Sequence, residues 1–196
     1  WRSALRERYG IGGEPVVVCI SRLVERKGQD TLIRAWPAIL EGHPDARLVI
    51  VGKGPYEAKL RSLAASCPAR ESIVFTGEVP FAELAAHYSL GDVFAMPCRT
   101  RGGGLDIEGL GIVYLEAYAA GLPVVAGDSG GAPEAVLPGV TGLVAAGRSA
   151  EACAAAVAYM LDDPVRAKAM GEAGRRWVDR AWRWSTLAAP LLKELT

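Results

Sequence analysis

The sequence has few of the residues that build metal sites and disulfide frameworks. It contains four cysteines and two histidines in 196 residues, and no two cysteines form a Cys-x-x-Cys pair. This scatter favours free thiols in a reducing cytoplasm over disulfides or a zinc site. His43 lies in a predicted turn and His87 in a predicted helix, so we assign neither of them a catalytic role. The cysteines are Cys19, Cys67, Cys98 and Cys153.

An excess of one charge is also absent. Lys and Arg together number 22, as do Asp and Glu, which excludes the global field that draws a protein to nucleic acid or to a membrane surface. No signal peptide and no apolar run of membrane length are present. Any anion-binding site must therefore come from a local arrangement. With 51% apolar and 22% charged residues, the chain predicts one globular domain with a sizeable core.

Buried strands alternate with helices along most of the chain. Val16–Ile20 is a continuous apolar run, typical of a strand buried on both faces of a parallel sheet. The alternation predicts an α/β fold with a doubly wound parallel sheet. The predicted strands are Val16–Ile20, Ala46–Val51, Ser72–Phe75, Asp92–Met96 and Pro123–Ala126, with a short segment at Thr141–Val144; the predicted helices are Asp30–Leu40, Tyr56–Ser66, Phe81–Ser89, Ile112–Ala120, Ala150–Leu161 and a region from Pro164 onward.

A basic, glycine-rich loop leads into a helix between Arg99 and Ala120. A loop of this kind presents the free N–H groups and the positive end of a helix, which together can bind an anion. Glu108 and Glu116 frame the turn, and a carboxylate repels phosphate but accepts two hydrogen bonds from a vicinal diol. A nucleotide sugar carries both groups. The same residues would also suit a helix start that binds nothing, so both interpretations stay open at this point.

Arg22 and Lys27 follow the first strand, at the sheet edge where ligands of such folds bind. An Arg and a Lys there can neutralise a diphosphate, whereas we expect Arg26 to lie in a solvated turn. No Gly-x-Gly-x-x-Gly follows this strand, which argues against a nicotinamide enzyme. Arg99 and Arg101 could contact phosphate, a second substrate or only solvent. For Glu134, in the loop after the fifth strand, we expect a structural role at a helix start.

Five motifs in order resemble the C-terminal half of the family-4 retaining glycosyltransferases of the GT-B fold. The resemblance covers the chain from about Pro15 onward. The amino-acid sequence from Met96 to Glu116 is most similar to that of the actinobacterial phosphatidylinositol-mannoside α-mannosyltransferases. The five motifs are Ser21-Arg22 with Lys27-Gly28, Gly77-x-Val-Pro80, Glu108-x7-Glu116, Gly121-Leu-Pro-Val-Val and Gly130-Gly-Ala-Pro-Glu134.

This resemblance implies a Rossmann-like domain, one half of a GT-B fold, that binds a nucleotide-sugar donor such as GDP-mannose without a metal ion. Arg22 and Lys27 would hold the diphosphate and stabilise the leaving group. Glu108 would meet the sugar hydroxyls, and Glu116 the ribose diol. Backbone groups of Gly111, Ile112 and Val113 would contact the sugar or phosphate, and Val79 and Pro80 would border the base.

The resemblance also implies a missing N-terminal half that supplies the lipid or small-molecule acceptor site and any membrane contact. The chain begins without Met, so we expect residues 1–14 to be a linker remnant, residues 15–176 to be the nucleotide-sugar-binding domain, and residues 177–196 to be a helix that crosses to the missing half. The whole enzyme would be cytoplasmic, at the inner face of the plasma membrane. Rival interpretations are a GT-B enzyme that uses a UDP-sugar, a nucleotide-sugar epimerase, and a non-catalytic nucleotide-binding or partner-binding module.

Overall fold

A computed structural model describes residues 1–188, in which β-strands and α-helices follow one another along the chain. The predicted segments are confirmed to within about two residues at most ends. The strands are β1 (Val16–Ile20), β2 (Arg47–Val51), β3 (Ile73–Gly77), β4 (Val93–Met96), β5 (Val124–Gly127) and β6 (Gly142–Ala145); the helices are α1 (Arg2–Arg8), α2 (Gln29–Gly42), α3 (Glu57–Ala65), α4 (Phe81–Tyr88), α5 (Ile112–Ala119), α6 (Ala150–Leu161) and α7 (Pro164–Ala181).

All six strands form one sheet in the order β3-β2-β1-β4-β5-β6, and every neighbouring pair is parallel. The two central strands, β1 and β4, are buried along their whole length, which explains why both are continuous apolar runs. Helix α2 packs against α3 and α6, while α5 packs against α4 and α7. The predicted doubly wound α/β fold is therefore confirmed.

The segment before the first strand, for which we expected a linker, contains helix α1. Its Arg6 is buried, and the guanidinium donates to the carbonyl oxygens of Gly12 at 2.7 Å and Leu90 at 3.3 Å. Tyr9 hydrogen-bonds the ring of His87 at 2.8 Å. Residues 1–14 are thus attached to the domain by buried polar contacts, which cannot be predicted from the periodicity of apolar residues.

Helix α7 runs without a break through the boundary that we expected at residue 177. Asp163 caps its first turn by accepting from the N–H of Arg166 at 2.9 Å. The Trp177 ring lies 6.0 Å from the Tyr118 ring, whereas Trp184 is 85% exposed. The last part of the expected crossing helix, residues 189–196, lies outside the described residues.

The four cysteines are free and buried, as the scattered spacing predicted. Burial raises the pKa of the Cys19 thiol to about 12. That thiol, near the end of β1, therefore behaves as a small apolar side chain.

Gly171 tests the docking of α7. A Cβ at this position would lie 2.0 Å from the carbonyl oxygen of Gly121, so Gly171→Ala must push the helix away from the turn before β5. We expect the free energy of unfolding to fall by about 1–3 kcal/mol, as measured by thermal or urea denaturation.

Gly42→Ala is the matched control, because no atom lies within 4 Å of the added Cβ at that helix end. It should be neutral or slightly stabilising. Equal stability of the two variants would contradict the packing of α7 described here.

Candidate functional site

The sheet order creates a crevice between β1 and β4, because the chain leaves β1 toward β2 and leaves β4 toward β5. Ligands of open α/β sheets bind at such a switch point. A cleft of about 700 Å³ lies beside this point, over the carboxyl ends of β1, β2 and β3 and against α4 and α5. Its lining comprises Ile20 at the end of β1 with Ser21 and Arg22 after it, Val51 at the end of β2 with Gly52, Lys53 and Gly54 after it, Glu57 on α3, Glu78 and Val79 after β3, Leu84 and Tyr88 on α4, and Val113 and Glu116 on α5.

The start of α5 is fixed by a glycine that no other residue could replace. Gly111 has φ 78°, and a Cβ there would lie 2.4 Å from the Tyr114 ring. That ring is itself locked, because the Tyr114 hydroxyl donates to the carbonyl oxygen of Met96 at 2.7 Å. The first N–H groups of a helix have no acceptor within the helix. Those of Ile112 and Val113 are therefore presented beside the cleft, which Val113 lines.

Lys27 and Glu108 form a buried ion pair between the loop after β1 and the loop after β4. The Lys27 Nζ lies 2.7 Å from the Glu108 Oε2, and the two residues are 8% and 5% exposed. The pair meets through charge rather than through an aligned hydrogen bond, since that oxygen lacks a hydrogen-bond partner of good geometry. Removing either side chain would leave the other as an unpaired buried charge, which is strongly unfavourable.

The loop after β5 holds Glu108 in place. The N–H of Glu108 donates to the Ser129 hydroxyl at 3.1 Å, and its carbonyl oxygen accepts from the N–H of Gly131 at 3.1 Å. A Cβ on Gly130 would lie 1.9 Å from the same carbonyl oxygen. The Gly-Gly-Ala-Pro-Glu segment thus has the structural role expected of it, and Glu134 lies in the 3-10 helix Ala132–Ala135.

Arg22 differs from Lys27 in being exposed at the cleft. Its backbone is fixed, because the carbonyl oxygen accepts from the Gln29 side chain at 3.2 Å and from the N–H of Val24 at 3.0 Å. The guanidinium is therefore anchored at its base and free to meet an anion at its tip.

Glu116 lies half-buried on the cleft wall and accepts a hydrogen bond from the Tyr88 hydroxyl at 2.6 Å. Burial, followed by the neighbouring carboxylate, raises the pKa of Tyr88, so the phenol keeps its proton. Sequence reasoning missed Tyr88, because an aromatic residue on the apolar side of a short helix looks like ordinary core. After β3, Val79 lines the cleft, whereas Pro80 is exposed at the start of α4.

The two arginines of the glycine-rich loop both form ion pairs with residues that follow β1. Arg99 is buried and donates to both carboxylate oxygens of Asp30, at 2.7 and 3.0 Å. Burial alone would raise the pKa of Asp30, but the bonds from Arg99 and Arg34 outweigh it and lower that pKa. Arg101 pairs with Glu25 at 2.7 Å. Both arginines therefore fasten the glycine-rich loop to the segment after β1.

The expectation that Arg26 lies in a solvated turn is wrong. Its side chain is 23% exposed and lies 3.5 Å from Asp106 and 3.8 Å from Glu108. The acidic residues of the loop after β4 attract it inward. His87, in contrast, is fully buried, and both of its ring nitrogens have hydrogen-bond partners.

Comparison with known proteins gives the family. The model of the family described as glycosyl transferases group 1 matches residues 2–177. A GDP-mannose-dependent alpha-(1-6)-phosphatidylinositol monomannoside mannosyltransferase of Mycobacterium tuberculosis is 60% identical over 97% of this chain and 49% of its own length. A Corynebacterium glutamicum enzyme, named for the monoacylated form of the same acceptor, is 49% identical over 97% of this chain and 49% of its own length. The chain thus spans about half the length of these relatives.

Solved structures confirm the fold. The Anabaena protein Alr3699/HepE, in complex with UDP and glucose, superposes with a TM-score of 0.86 at 23% identity, over 98% of this chain and 51% of its own. The C-terminal domain of the Francisella tularensis glycosyl transferase group 1 family protein LpcC superposes with a TM-score of 0.80 at 20% identity, over 94% of each chain. The chain belongs to the group 1 glycosyltransferases and has the fold of one half of a GT-B enzyme.

Proposed function

We propose that this chain is the donor-binding half of a GDP-mannose-dependent α-mannosyltransferase that acts on a phosphatidylinositol-mannoside acceptor. The observation that carries the proposal is the cleft at the carboxyl edge of the sheet, which brings Arg22, the first turn of α5 and the Glu116 carboxylate to one site. The guanosine and mannose specificity and the acceptor come from the names of the two relatives that are 60% and 49% identical.

Each part of the donor has a chemically suitable partner in the proposal. The diphosphate faces Arg22 and the first N–H groups of α5, with Lys27 beneath them in the same loop as Arg22. The ribose diol meets Glu116, and the base lies against the turn of Val79 and Pro80. Glu108 turns toward the sugar hydroxyls when the diphosphate draws Lys27 away from it.

The proposed chemistry is retaining transfer of mannose, in which the acceptor attacks from the face that the diphosphate leaves. Negative charge then develops on the leaving phosphate oxygen. In the proposal Arg22 and the α5 N-terminus stabilise that charge from the positions they already hold, and Lys27 joins them once it has left Glu108; electrostatic stabilisation of this kind is the largest contribution in many enzymes. These groups supply the positive charge themselves, so the proposal includes no metal ion. The acceptor site belongs to the rest of the enzyme.

No helix among residues 1–188 is long and apolar enough to cross a membrane. Because a phosphatidylinositol-mannoside is a lipid, we propose that the whole enzyme works at the inner face of the plasma membrane. The membrane contact would be made outside this chain, since the charges of the cleft are committed to the donor.

Donor binding by the isolated chain is the first test. Ligand that binds only the folded state raises Tm, and at about 100 times Kd the gain is roughly 2.7 kcal/mol, or about 5–10 °C for a domain of this size. We expect GDP and GDP-mannose to produce this shift in a thermal melt. UDP should produce a smaller one and NAD none. A larger shift with UDP would favour the UDP-sugar alternative, and no shift with any nucleoside diphosphate at millimolar concentration would refute donor binding.

Arg22→Ala should weaken GDP binding by roughly 1.5–3 kcal/mol, the range for hydrogen bonds to charged groups, and leave guanosine binding almost unchanged. Its stability should stay that of the wild type, because the side chain is exposed. Lys27→Ala should also weaken GDP, but it should lower Tm as well because it leaves Glu108 buried and unpaired.

Calorimetric titration with GDP and with guanosine separates these effects. Lys168→Ala is a control, since Lys168 lies beside a different pocket, lined by the turn before β5 and by α7. If Arg22→Ala weakens GDP and guanosine equally, the arginine does not bind phosphate and this part of the site is wrong.

Glu116→Ala should weaken GDP by roughly 1.5–3 kcal/mol, although it removes a negative charge from a cleft that binds an anion. With 2′,3′-dideoxy-GDP the loss should nearly vanish, because the hydroxyl partners are already gone. This comparison is a double-mutant cycle in which the ligand is one of the mutants.

Glu57→Ala is the matched control, because Glu57 lines the same cleft but pairs with Arg61 at 2.9 Å. Removing its charge should leave GDP binding unchanged or slightly tighter, as Coulomb repulsion predicts. An equal loss for both nucleotides in Glu116→Ala would make Glu116 a structural residue and would remove it from the site.

A further inference from the structure

We propose that Tyr88 is a positioning residue of the donor site, which holds the Glu116 carboxylate in the orientation that receives the ribose diol. The inference rests on the proposed function and deepens it. It assigns a role to a side chain that belongs to none of the motifs and that reaches the site from a different helix.

The hydrogen bond itself is the first observation. The Tyr88 hydroxyl donates to the Glu116 Oε2 at 2.6 Å, a short distance typical of a bond to an ionised acceptor. A carboxylate has about four lone-pair sites, so this bond occupies one and leaves the others for the two ribose hydroxyls. Tyr88 and Glu116 both line the cleft.

Tyr88 is rigid enough to act as an anchor. It is 2% exposed, and its ring lies 5.7 Å from Phe94. Phe94 contacts the Tyr114 ring edge-on at 5.9 Å and 88°, and the Tyr114 hydroxyl donates to the Met96 carbonyl oxygen at 2.7 Å. A row of three aromatic rings therefore ties Tyr88 to β4 and to the start of α5.

The carboxylate needs such an anchor. Glu116 lies in the middle of α5, half-buried, and a glutamate has three rotatable bonds. Ordering a side chain of this kind when ligand binds lowers affinity, and preorganisation removes the loss. Tyr88 approaches from α4, so the hydrogen bond fixes the carboxylate relative to the cleft wall and not only relative to its own helix. The raised pKa of Tyr88 keeps the phenol a donor.

Tyr88→Phe removes the hydroxyl and leaves the ring. We expect the Kd for GDP to rise roughly three- to tenfold. The Kd for 2′,3′-dideoxy-GDP should change little, since that ligand has no diol for Glu116 to bind. The measurement is calorimetric titration of the isolated chain with both nucleotides. In the Glu116→Ala background the same substitution should have no further effect on GDP binding.

Tyr118→Phe is the matched control. Tyr118 is a fully buried tyrosine whose hydroxyl lies 2.9 Å from the Thr141 hydroxyl, away from the cleft lining. It should leave the ratio of the two Kd values at the wild-type value. A variant that merely folds poorly would lose both nucleotides together, and its melt without ligand would reveal this.

Two results overturn the inference, and they are distinguishable. If wild type and Tyr88→Phe prefer GDP over the dideoxy nucleotide equally, while Glu116→Ala loses that preference, the donor site stands and Tyr88 has no positioning role. If the wild type binds neither nucleotide, the proposed function itself fails and the inference fails with it.

Discussion

Two buried ion pairs join the segment after β1 to the loop after β4. Lys27, in the loop after β1, meets Glu108, and Asp30, in the first turn of α2, meets Arg99. The N–H of Arg99 also donates to the carbonyl oxygen of Arg26 at 2.8 Å, so the two segments are joined through the backbone as well. A buried charge without its partner is strongly unfavourable, and each ion pair therefore penalises any separation of the two segments.

Glycines decide how closely those loops can approach. A Cβ on Gly28 would lie 1.9 Å from the carbonyl oxygen of Pro97, and one on Gly130 would lie equally close to that of Glu108. The loops after β1, β4 and β5 are therefore stacked at backbone contact distance. This close stacking allows Lys27 of one loop to reach Glu108 of the next. The ion pair therefore depends on the glycines.

The sequence predicted the sheet well and the charge network poorly, and both outcomes have physical causes. A strand such as Val16–Ile20 is buried on both faces, so its burial can be predicted from its apolar composition alone. The partner of Arg99 is Asp30, and nothing in the local sequence reveals a pairing that forms only when α2 is folded. Helix α1, within the segment where we expected a linker, was not predicted for the same reason. The buried Arg6 side chain donates hydrogen bonds to carbonyl groups distant in sequence, such as that of Leu90. Tyr88 escaped notice because its ring belongs to the core and only its hydroxyl reaches the cleft.

The charges near the cleft fall into two groups, one already paired and one available. Lys27 and Glu108 form an ion pair with each other, whereas Arg22 lines the cleft without an ion-pair partner among residues 1–188. In the function proposed above, a diphosphate brings negative charge to Arg22 and competes with Glu108 for Lys27. The displaced Glu108 carboxylate would then accept hydrogen bonds from sugar hydroxyls, which are suitable donors. On that proposal, one exchange of partners binds the phosphate and orients the sugar.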